Sequence, residues 1–449
     1  MQKNKLVLIL TALCLCTCST GYAQNPLIRN QFSADPSARV FNGKVYVYPS
    51  HDILATEGKG QVGWFCMEDY HVFSSHNLTE WIDHGVIITQ NKVPWVRPDS
   101  YAMWAPDCIE HHGKYYFYFP AMPKDTVANG RGFAIGVAVA DTPEGPFIPE
   151  ATPIKNVHGI DPNVFIDKDG QTYLYWSAGN IYAAPLKENM LELAAEPIIL
   201  TELPSQGLKE GPYLFERNGI YYLTYPHVDN KIERLEYATG NHPLGPFKVA
   251  GVIMDESPTG CWTNHQSIIQ YNNQWYLFYH HNDYSPAFDK ARSIRADSLF
   301  FLADGSIQKV IPTLRGIGHS NARKTIHIDR YSAIANEGAA ISFIDTTNNF
   351  KGWKTSFVKA GAWVQYNSVD FGKKPANKIL VKANAPAGAA LQVHTGGLNG
   401  PVIAKIKIPA TGQWKIISYK LLQPVKGIQQ LFIQSTSNNM VDIDWIQFE

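Results

Sequence analysis

Charge is scarce in this chain: charged side chains make up 17% of its 449 residues, and 39 basic residues are cancelled by 39 acidic ones. Without a net charge or a basic face there is no electrostatic footprint for nucleic acid or an anionic membrane surface. Cysteine is equally thin. Of six cysteines, Cys14, Cys16 and Cys18 cluster near the N-terminus, which leaves only Cys66, Cys108 and Cys261. Three widely spaced thiols allow at most one disulfide and have no metal-ligand rhythm. Past the first two dozen residues no apolar run approaches the length that crosses a bilayer as a helix. Helical periodicity is also scarce, which points to β-structure.

Residues 1–23 read as a secretory signal peptide: Lys3 and Lys5 precede the apolar run LVLILTALCLC, and small residues lead to Ala23. Export is the expectation, and LCTC offers a weaker reading as a lipoprotein box with Cys18 as the anchor. Aromatic residues are abundant, with 23 Tyr and 11 Trp. Ring faces stack on the apolar surfaces of sugars, so this balance suits a neutral, hydroxyl-rich partner, although β-rich proteins are aromatic-rich in any case.

One pattern recurs five times. ARVFNGKVYVYPS, IEHHGKYYFYFP, VFIDKDGQTYLYWS, LFERNGIYYLTYP and IIQYNNQWYLFYH each place a turn between bursts of alternating aromatic and β-branched residues. NG, HG, DG, NG and NN supply the positive φ angles of tight turns, so each copy predicts a β-hairpin. The turn centres Gly43, Gly113, Gly170, Gly219 and Asn273 are 49 to 70 residues apart. That spacing fits one four-stranded sheet per repeat, the mark of a five-bladed β-propeller. After about residue 322 the hairpin disappears. Short strands at regular spacing then predict a β-sandwich over 323–449, with a junction near His319 to Ile328. The expected fold is therefore all-β: a propeller over 24–322, then a jelly-roll-like sandwich.

A few residues ahead of each turn stands a polar residue in a Pro- or Gly-containing or polar cluster: Asp35 in ADPS, Asp107 in APDC, Asp161 in IDPN, Glu210 in KEGP and His265 in TNHQ. If the first strand of every blade lines the channel, these five side chains gather at one mouth of the axis. Any one Asp before Pro is most often a turn residue; the phased set is harder to dismiss. Two carboxyl groups facing a sugar-sized site, one protonated and one ionised, are the minimal apparatus for cleaving a glycosidic bond. Glu210, between an apolar turn and a strand, suits the acid, because burial raises its pKa. Asp35 suits the base. Asp161 either tunes and orients the acid or is a plain turn residue.

These motifs, ADPS, MWAPD, IDPNVFID, KEGPYLF and TNHQSII, resemble glycoside hydrolase family 43 across residues 27 to about 315. The resemblance implies a five-bladed propeller that inverts configuration, with Asp35 as general base, Asp161 as pKa modulator and Glu210 as general acid. No cofactor is needed for such chemistry. It also implies a calcium ion in the propeller channel of many members, for which His265 is the candidate contact, through ordered waters or otherwise. Imidazole alone is a poor calcium ligand, so His265 equally suits a carboxylate partner or core filling. Trp104 is read either as a sugar-stacking face or as core. Arg292 in ARSIR resembles a family arginine near the acid that contacts substrate, and Asp107 is read as structural.

The C-terminal region resembles carbohydrate-binding module family 6 through AGAWVQYNSVDFG, TGQWKIISYKL and VDIDWIQFE. Such modules hold sugar between aromatic faces beside a polar residue. Trp363 and Trp414 are the candidate faces, with Asp442 as the polar partner and Trp353 as a competitor; the resemblance again implies structural calcium. Together the readings point to an exported glycosidase acting on plant cell-wall oligo- or polysaccharide. The family suggests α-L-arabinofuranosidase or β-xylosidase action on arabinoxylan or arabinan. Endo-arabinanase or exo-β-galactosidase action, a catalytically inactive sugar-binding propeller and an interaction scaffold are the competing readings. Neither a membrane span nor an oligomeric state is implied.

Overall fold

The computed structural model describes residues 25–126, 132–347 and 351–449; the predicted signal peptide and Cys18 lie outside these. The chain is all-β: regular structure among the described residues consists of strands and short 3-10 turns such as Gln90–Lys92. No helix among them is long and apolar enough to cross a membrane.

Each repeated hairpin opens its own antiparallel sheet. Four sheets are four-stranded meanders and the fifth has three strands. Their first strands are Ala34–Phe41, Asp107–His111, Ile160–Ile166, Tyr213–Arg217 and Ser267–Tyr271. Four of the five turns are two-residue loops with positive φ at both positions: Asn42 and Gly43, His112 and Gly113, Asn218 and Gly219, Asn272 and Asn273. Such loops twist with the strands they join, which is why NG, HG and NN close them. The third hairpin differs. Its strands meet at Ile166 and Thr172 around a five-residue loop in which only Gly170 takes positive φ.

The first strands touch one another in cyclic order, each with the next and the last with the first. Five apolar clusters follow the same order, each shared by two neighbouring sheets. Tyr48 and Phe117 join the first two sheets. Val164 with Val137, Tyr175 with Leu223, and Tyr222 with Leu277 continue the series. Val47 and Phe278 return it to the start. Asp107 ties the ring from within: fully buried, it accepts from Ser37 Oγ at 2.5 Å, Arg39 Nε at 3.1 Å, Asn163 Nδ2 at 3.0 Å and the Val164 N–H at 2.7 Å. It thus spans the first three inner strands.

The segment before the first sheet runs along the last strand of the fifth, Ser293–Leu299. Leu27 donates to the Ile294 carbonyl at 2.8 Å, and buried Asn25 exchanges side-chain hydrogen bonds with Ala296 at 2.8 and 3.0 Å.

The C-terminal region forms two six-stranded sheets that enclose one apolar core, including Ile379, Val393, Ile433 and Phe448. Strand Ser320–Asn321 already pairs in parallel with Trp363–Asp370, so the sandwich begins just ahead of the expected 322/323 junction.

Candidate active site

A pocket of about 170 Å³ opens where the first strands begin, and Asp35, Asp161, Glu210 and His265 all line it. Asp107 does not. Of the five phased polar residues, four converge, while the fifth is spent on Arg39 and the inner strands.

Backbone geometry explains how the two Asp-Pro steps aim their side chains. Asp35 and Asp161 have φ of 47° and 57°, a left-handed conformation that is uncommon outside Gly and held here ahead of Pro36 and Pro162. At each the strand register shifts, between Ala34 and Ser37 and opposite Tyr175 to Ser177. An irregularity of this kind re-aims a side chain at a sheet edge. Gly211, at φ 52°, lets the chain pass so closely that an added Cβ would stand 3.0 Å from Pro226 and 3.1 Å from His265 Nδ1. Its N–H donates to Asp161 Oδ2 at 3.0 Å.

Asp35 is held ionised. Burial is the largest single influence and opposes its charge, but the Arg292 guanidinium, the neighbouring His280 and His265 and a hydrogen bond from Ser50 Oγ together overcome it and bring its pKa to about 2. Arg292 Nη1 reaches Asp35 Oδ1 at 2.9 Å, while Nε and Nη2 grip Asp52 at 2.9 and 2.8 Å. The remaining contacts of this guanidinium are Thr263 Oγ1 at 3.4 Å and Met67 Sδ at 3.8 Å. Its N–H groups are therefore directed at protein atoms, although the side chain lines the pocket. His280 sits beside Asp35 and is kept neutral, its pKa lowered to about 3 chiefly by burial. Its Nδ1 accepts from the Asp35 N–H at 3.1 Å, which leaves Nε2–H for the Thr263 carbonyl at 3.1 Å.

The other carboxyl groups are pushed the opposite way. Burial raises the pKa of Glu210, with the Asp35 charge adding to it and contact with Glu233 holding it back. Asp161 is raised by burial, then by Glu210 and Asp35. Glu233, fully buried on the third strand of the fourth sheet, is raised by burial and by Glu210. One pocket thus sets a carboxylate of lowered proton affinity beside carboxyls of raised proton affinity, the separation that acid–base catalysis requires.

Aromatic faces frame the opening. Trp104 packs on Phe133 with ring centroids 4.4 Å apart, and its buried Nε1 has no protein partner. Phe65 lines the wall and carries Arg292 over its ring at 4.9 Å. Trp64 and Trp262 remain 46% and 37% exposed, so they form a rim.

His265 lines the pocket, and burial lowers its pKa. Among the described residues, the groups of three or more His, Cys, Asp or Glu side chains with donor atoms gathered together include neither His265 nor any residue of the sandwich. His265, a nitrogen donor outside such groups, is a poor direct ligand for calcium, which takes six to eight oxygens.

In the sandwich, Trp363 opens a strand of one sheet with its ring 5.6 Å from Phe432. Asp442 belongs to the other sheet and accepts from Lys354 Nζ at 2.6 Å and Ser356 Oγ at 2.5 Å. Trp414, just ahead of Lys415–Val425 in that second sheet, faces Lys382 Nζ at 5.9 Å. Trp353 packs on Phe343 at 4.0 Å. The two candidate faces, Trp363 and Trp414, are thus set on different sheets.

Sequence reasoning missed Asp52, Glu233, His280 and the rim tryptophans. Asp52, Glu233 and the tryptophans lie outside the repeated hairpins, and His280 ends the fifth copy at a position where the other copies carry Ser or Pro.

A closed ring of sheets with opposed carboxyl groups in an aromatic-walled, sugar-sized pocket defines a glycoside hydrolase. Comparison with known proteins agrees. Residues 23–307 match the model of Glycosyl hydrolases family 43, and residues 334–449 match that of Carbohydrate binding module (family 6). The chain belongs to glycosyl hydrolase family 43. It is 36% identical over 334 residues to the xylosidase/arabinosidase 43A of Humicola insolens, covering 63% of this chain and 98% of that one. An arabinoxylan arabinofuranohydrolase of Paenibacillus polymyxa is 27% identical over 492 residues, 94% of this chain and 74% of its own length. Among solved structures, a β-xylosidase/α-arabinofuranosidase from a compost metagenome, in complex with xylotriose and in calcium-free form, superposes with a TM-score of 0.57. It shares 34% identity over 65% of this chain and 98% of its own.

Proposed function

We propose that this chain is an exported, inverting exo-glycosidase that releases terminal xylosyl or arabinofuranosyl units from plant polysaccharides such as arabinoxylan or arabinan. In this reading residues 34–299 form a five-bladed propeller and the sandwich holds the polymer. The carrying observation is the divided proton affinity of one pocket: that of Asp35 is lowered, with Arg292 the largest lowering influence, while burial raises that of Glu210. Asp35 takes a proton from a water that attacks the anomeric carbon. Glu210 protonates the departing oxygen, and Asp161, held by the Gly211 N–H, orients it. Direct displacement by water inverts the configuration. Arg292, with its N–H groups turned to Asp35, Asp52, Thr263 and Met67, sets the charge of the base and the position of the wall.

Pocket size supports exo action. A cavity of roughly 150 Å³ holds one benzene, so 170 Å³ suits a single pentose ring rather than a chain running through. The xylosidase and arabinosidase names of the relatives support a pentose in that place. Export rests on the apolar N-terminal segment.

The test is a panel of aryl glycosides. Release from β-D-xyloside or α-L-arabinofuranoside is expected, and release from a galactoside alone would overturn the substrate assignment. Glu210→Gln, with the fold intact by circular dichroism, is expected to lower kcat by at least about 10²-fold.

A further inference from the structure

A second cluster of reactive side chains lies outside the pocket, at the end of the second and third strands of the first sheet. His51 follows strand Lys44–Ser50, while Asp69 and His71 stand on one face of strand Asp69–Ser75. The three can each present a donor atom within 4.8 Å of the other two. The imidazoles meet edge to face, with centroids 4.9 Å apart. His51 Nδ1 is 2.6 Å from Asp69 Oδ1, and Asp69 is almost fully buried.

Two further observations point to a cation. Asp83 Oδ1 engages His71 Nδ1 at 3.0 Å, which fixes the tautomer and leaves the Nε2 lone pair for a ligand bond; metal-binding histidines are typically oriented by a carboxylate on the other nitrogen in this way. Moreover, the ion-pair partners of Asp69 and Asp83 among the described residues are these two histidines, with no Lys or Arg. The buried Asp69 carboxylate, without a fixed cation beside it, leaves charge to be neutralised.

We propose that His51, Asp69 and His71 bind a divalent first-row transition ion, with Asp83 as the residue that orients His71. Two imidazoles and one carboxylate match the ligand preference of Zn²⁺ or Cu²⁺, and three protein ligands leave a coordination position open to water. The set is poor in oxygen, so Ca²⁺ is the wrong occupant. His111, His112 and Glu188 form the other such group. His111 is buried, but His112 and Glu188 are exposed, and Glu188 Oε1 bridges both histidines at 3.3 and 2.8 Å.

The experiment is calorimetric titration of Zn²⁺ into the full chain. One equivalent is expected to bind; His71→Ala is expected to abolish this, and Asp83→Asn to weaken it about 10- to 100-fold. Circular dichroism and the melting temperature report folding of each variant, and His51→Gln repeats the test without touching the strand. Absence of stoichiometric Zn²⁺ binding would overturn the proposal. So would binding that persists in folded His71→Ala and His51→Gln but is lost in Glu188→Gln, and so would equally tight binding of Ca²⁺ at the same residues.

Discussion

Asp35 and Glu210 occupy one buried pocket, yet their proton affinities move in opposite directions, and Arg292 accounts for the difference. Its guanidinium is the largest influence lowering Asp35, and it is only a minor one on Glu210, where burial dominates. Replacing Arg292 by Gln removes that charge and leaves desolvation opposed only by the weaker influences of His280, His265 and Ser50. Because the pKa of Asp35 must then rise, the acid limb of kcat/KM is expected to move to higher pH, with the alkaline limb, set by the proton on Glu210, rising less. A pH–rate profile of Arg292→Gln with an unmoved acid limb would contradict the assignment of Asp35 as base. The same change orphans buried Asp52, so unfolding in urea is expected to show a loss of about 3–5 kcal/mol. This network was only partly legible in the sequence. Asp35, Asp161 and Glu210 are visible because they recur in phase with the hairpins. Asp52 follows the end of a second strand, Glu233 opens a third strand and His280 closes the fifth hairpin copy without a counterpart in the other four, so no shared phase marks them, and only the folded ring brings them beside the acids.

Elements place these side chains by breaking their own regularity. Four of the five predicted turns could be read to the residue, because Asn-Gly, His-Gly and Asn-Asn leave little choice but a two-residue loop with positive φ. Asp-Gly in the third repeat carried the same signal and closed a longer loop instead: the Gly170 N–H bonds the Asp167 carbonyl, and Asp167 in turn pairs with Gln171. Asp107 shows a comparable limit. Its phase matches that of the other acids, but Arg39 on the neighbouring inner strand captures it, and that encounter depends on ring closure rather than on local sequence. Where the strands begin, the chain must instead take left-handed conformations, and Gly211 is the one that faces the pocket residues Asp161 and His265. Gly211→Ala would place a methyl group against Pro226 and His265 while imposing a φ that costs an L-residue about 1–2 kcal/mol. As its N–H positions Asp161, displacement of this strand start is expected to lower kcat by about 10- to 100-fold. Steady-state assays of folded Gly211→Ala would expose the error if kcat stayed at the wild-type level.

At the scale of the whole molecule, a ring of sheets has one seam, and here the chain closes it with the segment that precedes the first strand. Asn25 is buried against the last strand of the fifth sheet. Its Oδ1 accepts from the Ala296 N–H at 2.8 Å, and its Nδ2 reaches the carbonyls of Ala296 and Thr313 at 3.0 and 2.8 Å and Asp297 Oδ2 at 3.2 Å. Truncation to Ala removes an amide that acts as donor and acceptor at once, leaving buried backbone groups unpaired on both sides of the seam. Asn25→Ala is expected to destabilise the fold by roughly 3 kcal/mol, read as a lower urea midpoint. Asn25→Asp discriminates further. An aspartate can still accept from the Ala296 N–H, but it cannot donate to the two carbonyls, and its charge faces Asp297. This nearly isosteric change is therefore expected to cost at least as much as Ala at neutral pH. Neither variant touches the pocket, so KM for an aryl glycoside should stay unchanged in the folded fraction. Wild-type urea midpoints for both variants would show that the ring closes without this latch, through the apolar cluster of Val47 and Phe278 alone.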